Sequence, residues 1–195
     1  MKKITLILGT VAVALLAFTP QKSNTYTVNV NKSSVTWVGR KVTGEHAGKI
    51  KLASGNLIAD NKTLKGGNFT IDMTSISCTD LTGEYMEKLL GHLKSDDFFA
   101  VEKYPVSTFE ITKVTPLGKG TANITGKLSI KGITQTINFP AVITISGKTI
   151  VAEAKKVMVD RTNFDIRYGS KSFFNLGDKA IDNDFELNIS LVASL

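Results

Sequence analysis

The sequence predicts an all-β fold, an extended antiparallel barrel of eight strands with one short helix near the middle. Three observations predict it. Side-chain polarity alternates with period two along most of the chain, which puts successive side chains on opposite faces of a strand. Turn residues separate these stretches at short intervals, so that neighbours in sequence connect as hairpins. An open sheet of so many one-faced strands would leave its edges exposed, and closure removes them. With 195 residues, the chain can bury a core of its own and is read as one domain.

In order, Tyr26, Val28 and Val30 alternate with Thr27 and Asn29, and Val35 and Trp37 begin a second strand. His46, Gly48, Ile50 and Leu52 share one face, opposite Ala47, Lys49 and Lys51. Phe69, Ile71 and Met73 form the next stripe, followed by Phe109 with Ile111, then Ile124, Leu128 and Ile130. Ile137 with Phe139, Ile143 with Ile145, and Val157 with Val159 continue the pattern, which Phe185, Leu187, Ile189 and Leu191 close. Turns are expected at Ser54-Gly55, Gly66-Gly67, Gly118-Lys119-Gly120, Gly132 and Ser146-Gly147-Lys148. The one helical signal is Met86, Leu89, Leu90 and Leu93, spaced i, i+3, i+4 and i+7. Glu84 and Lys88 form a favourable exposed pair on this helix, Asp80 or Thr82 is placed to cap it, and it should pack over one barrel end. Alternation alone does not separate a barrel from a two-sheet sandwich. A lipocalin-like barrel of this size is either filled by side chains or holds one small ligand.

Residues 1–20 are set apart as a secretory signal peptide, because Lys2 and Lys3 precede an uncharged, largely apolar run from Ile4 to Phe18. That run is shorter than the roughly 20 residues needed to span a bilayer. No cysteine lies near the junction for lipid attachment, so residues 21–195 are expected as a soluble periplasmic or secreted domain. Without Lys2 and Lys3 the chain carries 22 basic against 17 acidic residues. They are scattered rather than clustered, which argues against a nucleic-acid partner. Hydrophobic residues at 42% and charged residues at 21% exclude wholesale disorder. The single cysteine, Cys78, excludes a disulfide framework. With only His46 and His92 as histidines, and no nucleophile elbow, zinc motif, Walker loop or dinucleotide fingerprint, neither an enzyme nor a resident cofactor or metal is expected.

Aromatic residues converge on the inward stripes, with Phe98-Phe99 and Phe173-Phe174 beside them. A packed core and a ligand cavity look the same at this level. Parity places His46 on the face of Ile50 and Leu52, pointing inward, where it bonds a neighbour or a ligand. His92 falls at the helix C-terminus, which its charged form would complement. Asp160 and Arg161 are unusual inside a β pattern, and they either form a strand-end ion pair or clamp a polar head group at a barrel mouth. Asp178, Asp182, Asn183 and Asp184 are read as turn and strand-entry residues, because they lack calcium-loop spacing.

The segment GHLKSDDFFAVEKYPVSTFEIT at 91–112 resembles the YceI-like family of exported bacterial lipid-binding proteins. VTWVGRKVTGEHAGKIKLASG at 35–55, FTIDMTSI at 69–76, GKLSIKGITQTINFP at 126–140 and DRTNFDIRYGS at 160–170 add to the resemblance. It implies an extended lipocalin-like barrel with a central helix that takes polyisoprenoid or related long-chain lipids into its interior, and it tips the reading of that interior towards an open cavity. The expected lining is Trp37, His46, Ile50, Phe69, Ile71, Phe98 and Phe99, with Phe109, Ile124, Leu128, Phe139, Phe164, Tyr168 and Phe174; His92, Asp160 and Arg161 are candidates for the mouth or head group. The expected partner is a long isoprenoid or acyl lipid, with transient membrane contact and a homodimer as further expectations. Two alternatives stand beside the carrier: a small exported hydrolase or isomerase using His46, His92 and Asp160, and a structural or stress-protective envelope protein with a filled barrel.

Overall fold

A computed structural model describes residues 23–60, 62–175 and 177–195; the expected signal peptide lies outside them. Nine strands form one antiparallel sheet: β1 (Asn24–Val28), β2 (Ser34–Lys41), β3 (Gly44–Ala59), β4 (Leu64–Cys78), β5 (Val106–Gly118), β6 (Thr121–Ile130), β7 (Ile133–Ser146), β8 (Thr149–Asp160) and β9 (Ile181–Ser194). Each strand from β2 to β9 pairs with its neighbour in sequence, and the β9–β2 ladder closes the ring. The result is an up-and-down barrel with eight positions. The first position is filled twice in series: β2 pairs with the start of β3, whereas β1 pairs with its end, Asn56 to Ala59. The turn between β1 and β2 is held by Asn29, whose Oδ1 accepts from the amides of Asn31 and Lys32. Val30 falls in this turn and is exposed, so the opening stripe stops at Val28.

Strand ends sort the connections. The β2–β3, β4–β5, β6–β7 and β8–β9 links lie at one end, and the β3–β4, β5–β6 and β7–β8 links at the other. The helix α1 (Gly83–Lys94) belongs to the β4–β5 link and lies against β4. Its expected Glu84–Lys88 pair forms at 2.6 Å. Thr82 is the N-cap by position but makes no side-chain cap bond. The far end is sealed by Tyr26, Leu57 and Ile150, all fully buried in the main core.

The turns at Gly118–Gly120, Gly132 and Gly147 fall where expected, between β5 and β6, β6 and β7, and β7 and β8. Ser54-Gly55 and Gly66-Gly67 do not make turns; they lie within β3 and β4, which connect only after Ala59. These glycines mark close approach between neighbours. A Cβ on Gly67 would lie 2.5 Å from the Asn56 carbonyl oxygen, and one on Gly55 would lie 2.7 Å from the Phe69 ring. The β7–β8 ladder is short, joining only Val142–Ser146 to Thr149–Glu153. Beyond it, a 3-10 helix, Arg161–Phe164, reaches from the end of β8 to β7, where Gln135 Nε2 donates to the Asn163 carbonyl at 3.0 Å.

Among the described residues, no helix is long and apolar enough to cross a membrane. The outward side chains of β7, such as Thr134, Thr136 and Asn138, are polar and exposed, while Ile133, Ile137 and Phe139 pack inward. That polarity is the reverse of a membrane-spanning barrel, whose lipid-facing surface is apolar.

Candidate functional site

The period-two alternation aims one face of every strand at the barrel axis, and the interior is not filled. It holds a cavity of about 270 Å³ with an almost wholly apolar wall, near the lower end of the ~300–1,000 Å³ usual for small-molecule sites. Three aromatic rings cross the wall in a row: Phe69 and Phe109 have centroids 6.3 Å apart, and Phe109 and Phe139 5.7 Å apart. Gly126 makes room for this row, since a Cβ there would stand 2.3 Å from the Phe109 ring. Ile50, Ile71, Ile124 and Leu128 complete the middle of the wall, with Trp37 nearer the α1 end. Trp37 Nε1 and Ser107 Oγ are shielded and have no hydrogen-bond partner among the described residues. Polar atoms on this wall are few, and those two are held back from the lumen.

Arg40, Lys41, His46, Arg161, Asp182 and Asp184 border the cavity at the α1 end, opposite the end closed by Tyr26, Leu57 and Ile150, and this end is taken as the mouth; Glu153 of β8 borders the cavity further in. Leu89 and Leu93 of α1, together with Phe98 and Phe99, form its apolar rim. The rim is cross-braced: Phe99 meets Phe185 edge-on at 6.3 Å, and His92 meets both Phe98 (4.9 Å) and Tyr168 (4.4 Å) edge-on.

Eleven of the fourteen expected lining residues therefore line one cavity, and three do not. Phe164 is 1% exposed, but it is packed into the core by the 3-10 helix that bridges β8 and β7. Tyr168 is 47% exposed and lies against His92 and Phe98 outside the lumen. Phe174 is 52% exposed in the loop before β9, where it borders a shallow surface hollow with Val42 and Phe173. All three lie outside the strands, where parity gives no direction.

Asp160 and Arg161 do not pair with each other. Asp160 caps the 3-10 helix, accepting from Thr162 N at 2.8 Å and Thr162 Oγ1 at 2.6 Å. Arg161 is 3% exposed and clamps three backbone carbonyls: Nε to Asp182 (3.0 Å), Nη1 to Ile166 (2.8 Å) and Nη2 to Ile181 (3.2 Å). Its guanidinium also lies 5.6 Å from the centroid of the Phe98 ring. Burial pulls its pKa below the usual arginine range, against the attraction of Asp160 and Asp182. His46 points to the cavity, as parity implied, and its Nδ1 lies 2.8 Å from Asp80 Oδ2. Asp80 Oδ1 accepts from the Ala47 amide at 2.8 Å and from Cys78 Sγ at 3.2 Å. Burial opposes its ionisation, but these three donors outweigh that and hold its pKa at about 2. Sequence reasoning missed Asp80 as a site residue because it reaches His46 from 34 positions away with no local pattern. His92 Nε2 is 3.7 Å from Asp97 Oδ2. His46, His92 and Asp160 thus each serve a different neighbour and do not assemble into one centre.

The described residues thus form a closed up-and-down barrel with an apolar cavity in its interior, the concave, largely apolar geometry usual for small-molecule sites. The profile of the YceI-like domain matches residues 26–193, and the chain belongs to that family. A UPF0312 protein of Pseudomonas putida (strain W619) is 32% identical over 101 residues, 52% of this chain and 50% of its own length. A UPF0312 protein of Vibrio parahaemolyticus is 31% identical over 96 residues, 48% of each chain. The chain thus spans about half the length of the curated relatives it matches. Among solved structures, Burkholderia cenocepacia BcnA superposes with a TM-score of 0.70 at 23% identity, over 86% of this chain and 99% of that one. A domain from Saccharophagus degradans, described as polyisoprenoid-binding and implicated in plant cell wall breakdown, gives a TM-score of 0.65 at 16% identity, over 87% and 97%. At these identities the likeness establishes the fold.

Proposed function

We propose that this protein is an exported, non-enzymatic carrier or sequestering protein that holds a long lipid tail in its barrel. The lipid is a polyisoprenoid, an isoprenoid quinone or a long acyl lipid, and it is the only bound small molecule the function requires. The protein works in the periplasm or outside the cell, touches membranes transiently to load and unload, and pairs as a homodimer. The observation that carries the reading is the apolar cavity running inward from a polar mouth. Each methylene moved from water into such a wall contributes about 0.8 kcal/mol. About ten buried methylenes would supply about 8 kcal/mol before the cost of ordering the chain. Membership of the YceI-like family and the fold shared with a domain described as polyisoprenoid-binding support the choice of ligand class.

The test is mass spectrometry of an organic extract of the purified protein. A long-chain lipid recovered in stoichiometric amount is the expected result. An extract matching the buffer blank, from protein that also fails to take up added prenols, quinones or acyl lipids, would overturn the reading.

A further inference from the structure

The mouth's hydrogen-bonding and charge pattern narrows the ligand further, an inference that rests on the lipid-carrier reading above. We propose that the site selects a lipid with an uncharged hydroxyl head, a long-chain alcohol or phenol, whose O–H donates to Nε2 of His46, and that it discriminates against phosphate and carboxylate heads.

Two independent features carry this. The first is the state of the His46 ring. Its Nδ1 faces Asp80 Oδ2 at 2.8 Å, while the other carboxylate oxygen is held by the Ala47 amide and the Cys78 thiol. An ionised carboxylate only accepts, so the neutral ring carries its proton on Nδ1 and presents the Nε2 lone pair as an acceptor. Asp80 is ionised across the neutral range. Among the described residues Nε2 has no hydrogen-bond partner. The ring lines the cavity on the same strand face as Ile50 and Leu52. A tail lying along that wall would bring its head to this nitrogen. Asp80 is a positioning residue, since it acts through the ring.

The second feature is charge. The mouth has three cations, and two are already spent. Arg40 is bonded to Glu45 and Glu186, both at 3.1 Å, and Arg161 to three backbone carbonyls. Only Lys41 remains, with no ion pair among the described residues. An anionic head at Nε2 would meet a lone pair with ionised Asp80 behind the ring, and would have Lys41 alone to offset its desolvation. A neutral hydroxyl loses little and gains one directed bond.

The experiment measures binding of geranylgeraniol, its methyl ether and geranylgeranyl phosphate to the full chain at pH 8.5, above the ordinary imidazole range. One hydrogen bond is about tenfold in affinity, so the alcohol should bind about tenfold tighter than the ether, and tighter than the phosphate. In His46→Leu the alcohol and ether should bind equally. Histidine 15N spectra supply a readout needing no variant, since the chain has only two histidines. The His46 Nε2 resonance should be of the unprotonated type and should move with the alcohol but not with the ether. Equal binding of alcohol and ether to the wild type, tighter binding of the phosphate, or a protonated Nε2 would overturn the inference while leaving the carrier reading intact. If none of the three probes binds, the inference falls, and the carrier reading is decided by the organic extract and by uptake of quinones and acyl lipids.

Discussion

Replacing Arg161 by alanine isolates what secures the mouth. The side chain is 3% exposed and donates to the carbonyls of Asp182, Ile166 and Ile181 at 3.0, 2.8 and 3.2 Å, tying the end of β8 to the following loop and the start of β9. Hydrogen bonds from a charged donor contribute about 1.5–3 kcal/mol each, and an abandoned buried acceptor costs about 1–3 kcal/mol. The guanidinium's own burial cost is relieved in the variant, and water enters the space it leaves, so the sum is not fully expressed. The expected net loss is about 3–5 kcal/mol, or roughly 10 °C in Tm for a chain of this size. Arg161→Lys keeps the charge but not the planar fork and should lose about half as much. Urea denaturation of the lipid-free and lipid-loaded forms separates a structural role from a head-group role. The structure predicts nearly the same loss in both. A loss below about 1 kcal/mol, or one confined to the loaded form, would refute the assignment of Arg161 to the fold.

Asp80 titrates near 2 in the folded protein, below its ordinary 3.8, so on acidification the unfolded chain takes up the proton first. Its stabilisation is complete above about pH 4 and is lost as pH falls towards 2; Asp80→Asn should be less stable at neutral pH and flatter through that acid window, as followed by circular dichroism. Gly126→Ala would set a Cβ 2.3 Å from the Phe109 ring and 2.6 Å from the Glu110 carbonyl oxygen, so it should cost about 1–3 kcal/mol in urea denaturation and weaken lipid uptake by tilting the aromatic row.

Where strands alternate, the site was legible in the sequence. Parity alone aimed His46, Ile50, Phe69, Ile71, Phe109, Ile124, Leu128 and Phe139 at one lumen, because a period of two leaves each side chain only two faces to choose from. The rest was hidden for specific reasons. Phe164, Tyr168 and Phe174 lie in irregular backbone, where no period assigns a direction. Gly55 and Gly67 look like turn residues locally, yet they are required inside strands by what approaches from across the sheet. The Asp80–His46 bond and the three-carbonyl clamp of Arg161 join segments that meet only once the barrel has closed. The difference between a filled barrel and a hollow one depends on packing volume rather than polarity, and it is set by positions such as Gly126, where a missing side chain lets a ring lie flat against the wall.

Trp37 offers the most direct test of the central claim, that the barrel interior receives a lipid tail. It is the only tryptophan in the chain and it lines the cavity, so its emission reports on the lumen without ambiguity. Titrating delipidated protein with geranylgeraniol should shift or quench that emission in a saturable way, with one ligand per barrel, and raise the thermal midpoint in parallel. Unchanged emission and an unchanged midpoint at saturating lipid would contradict the account.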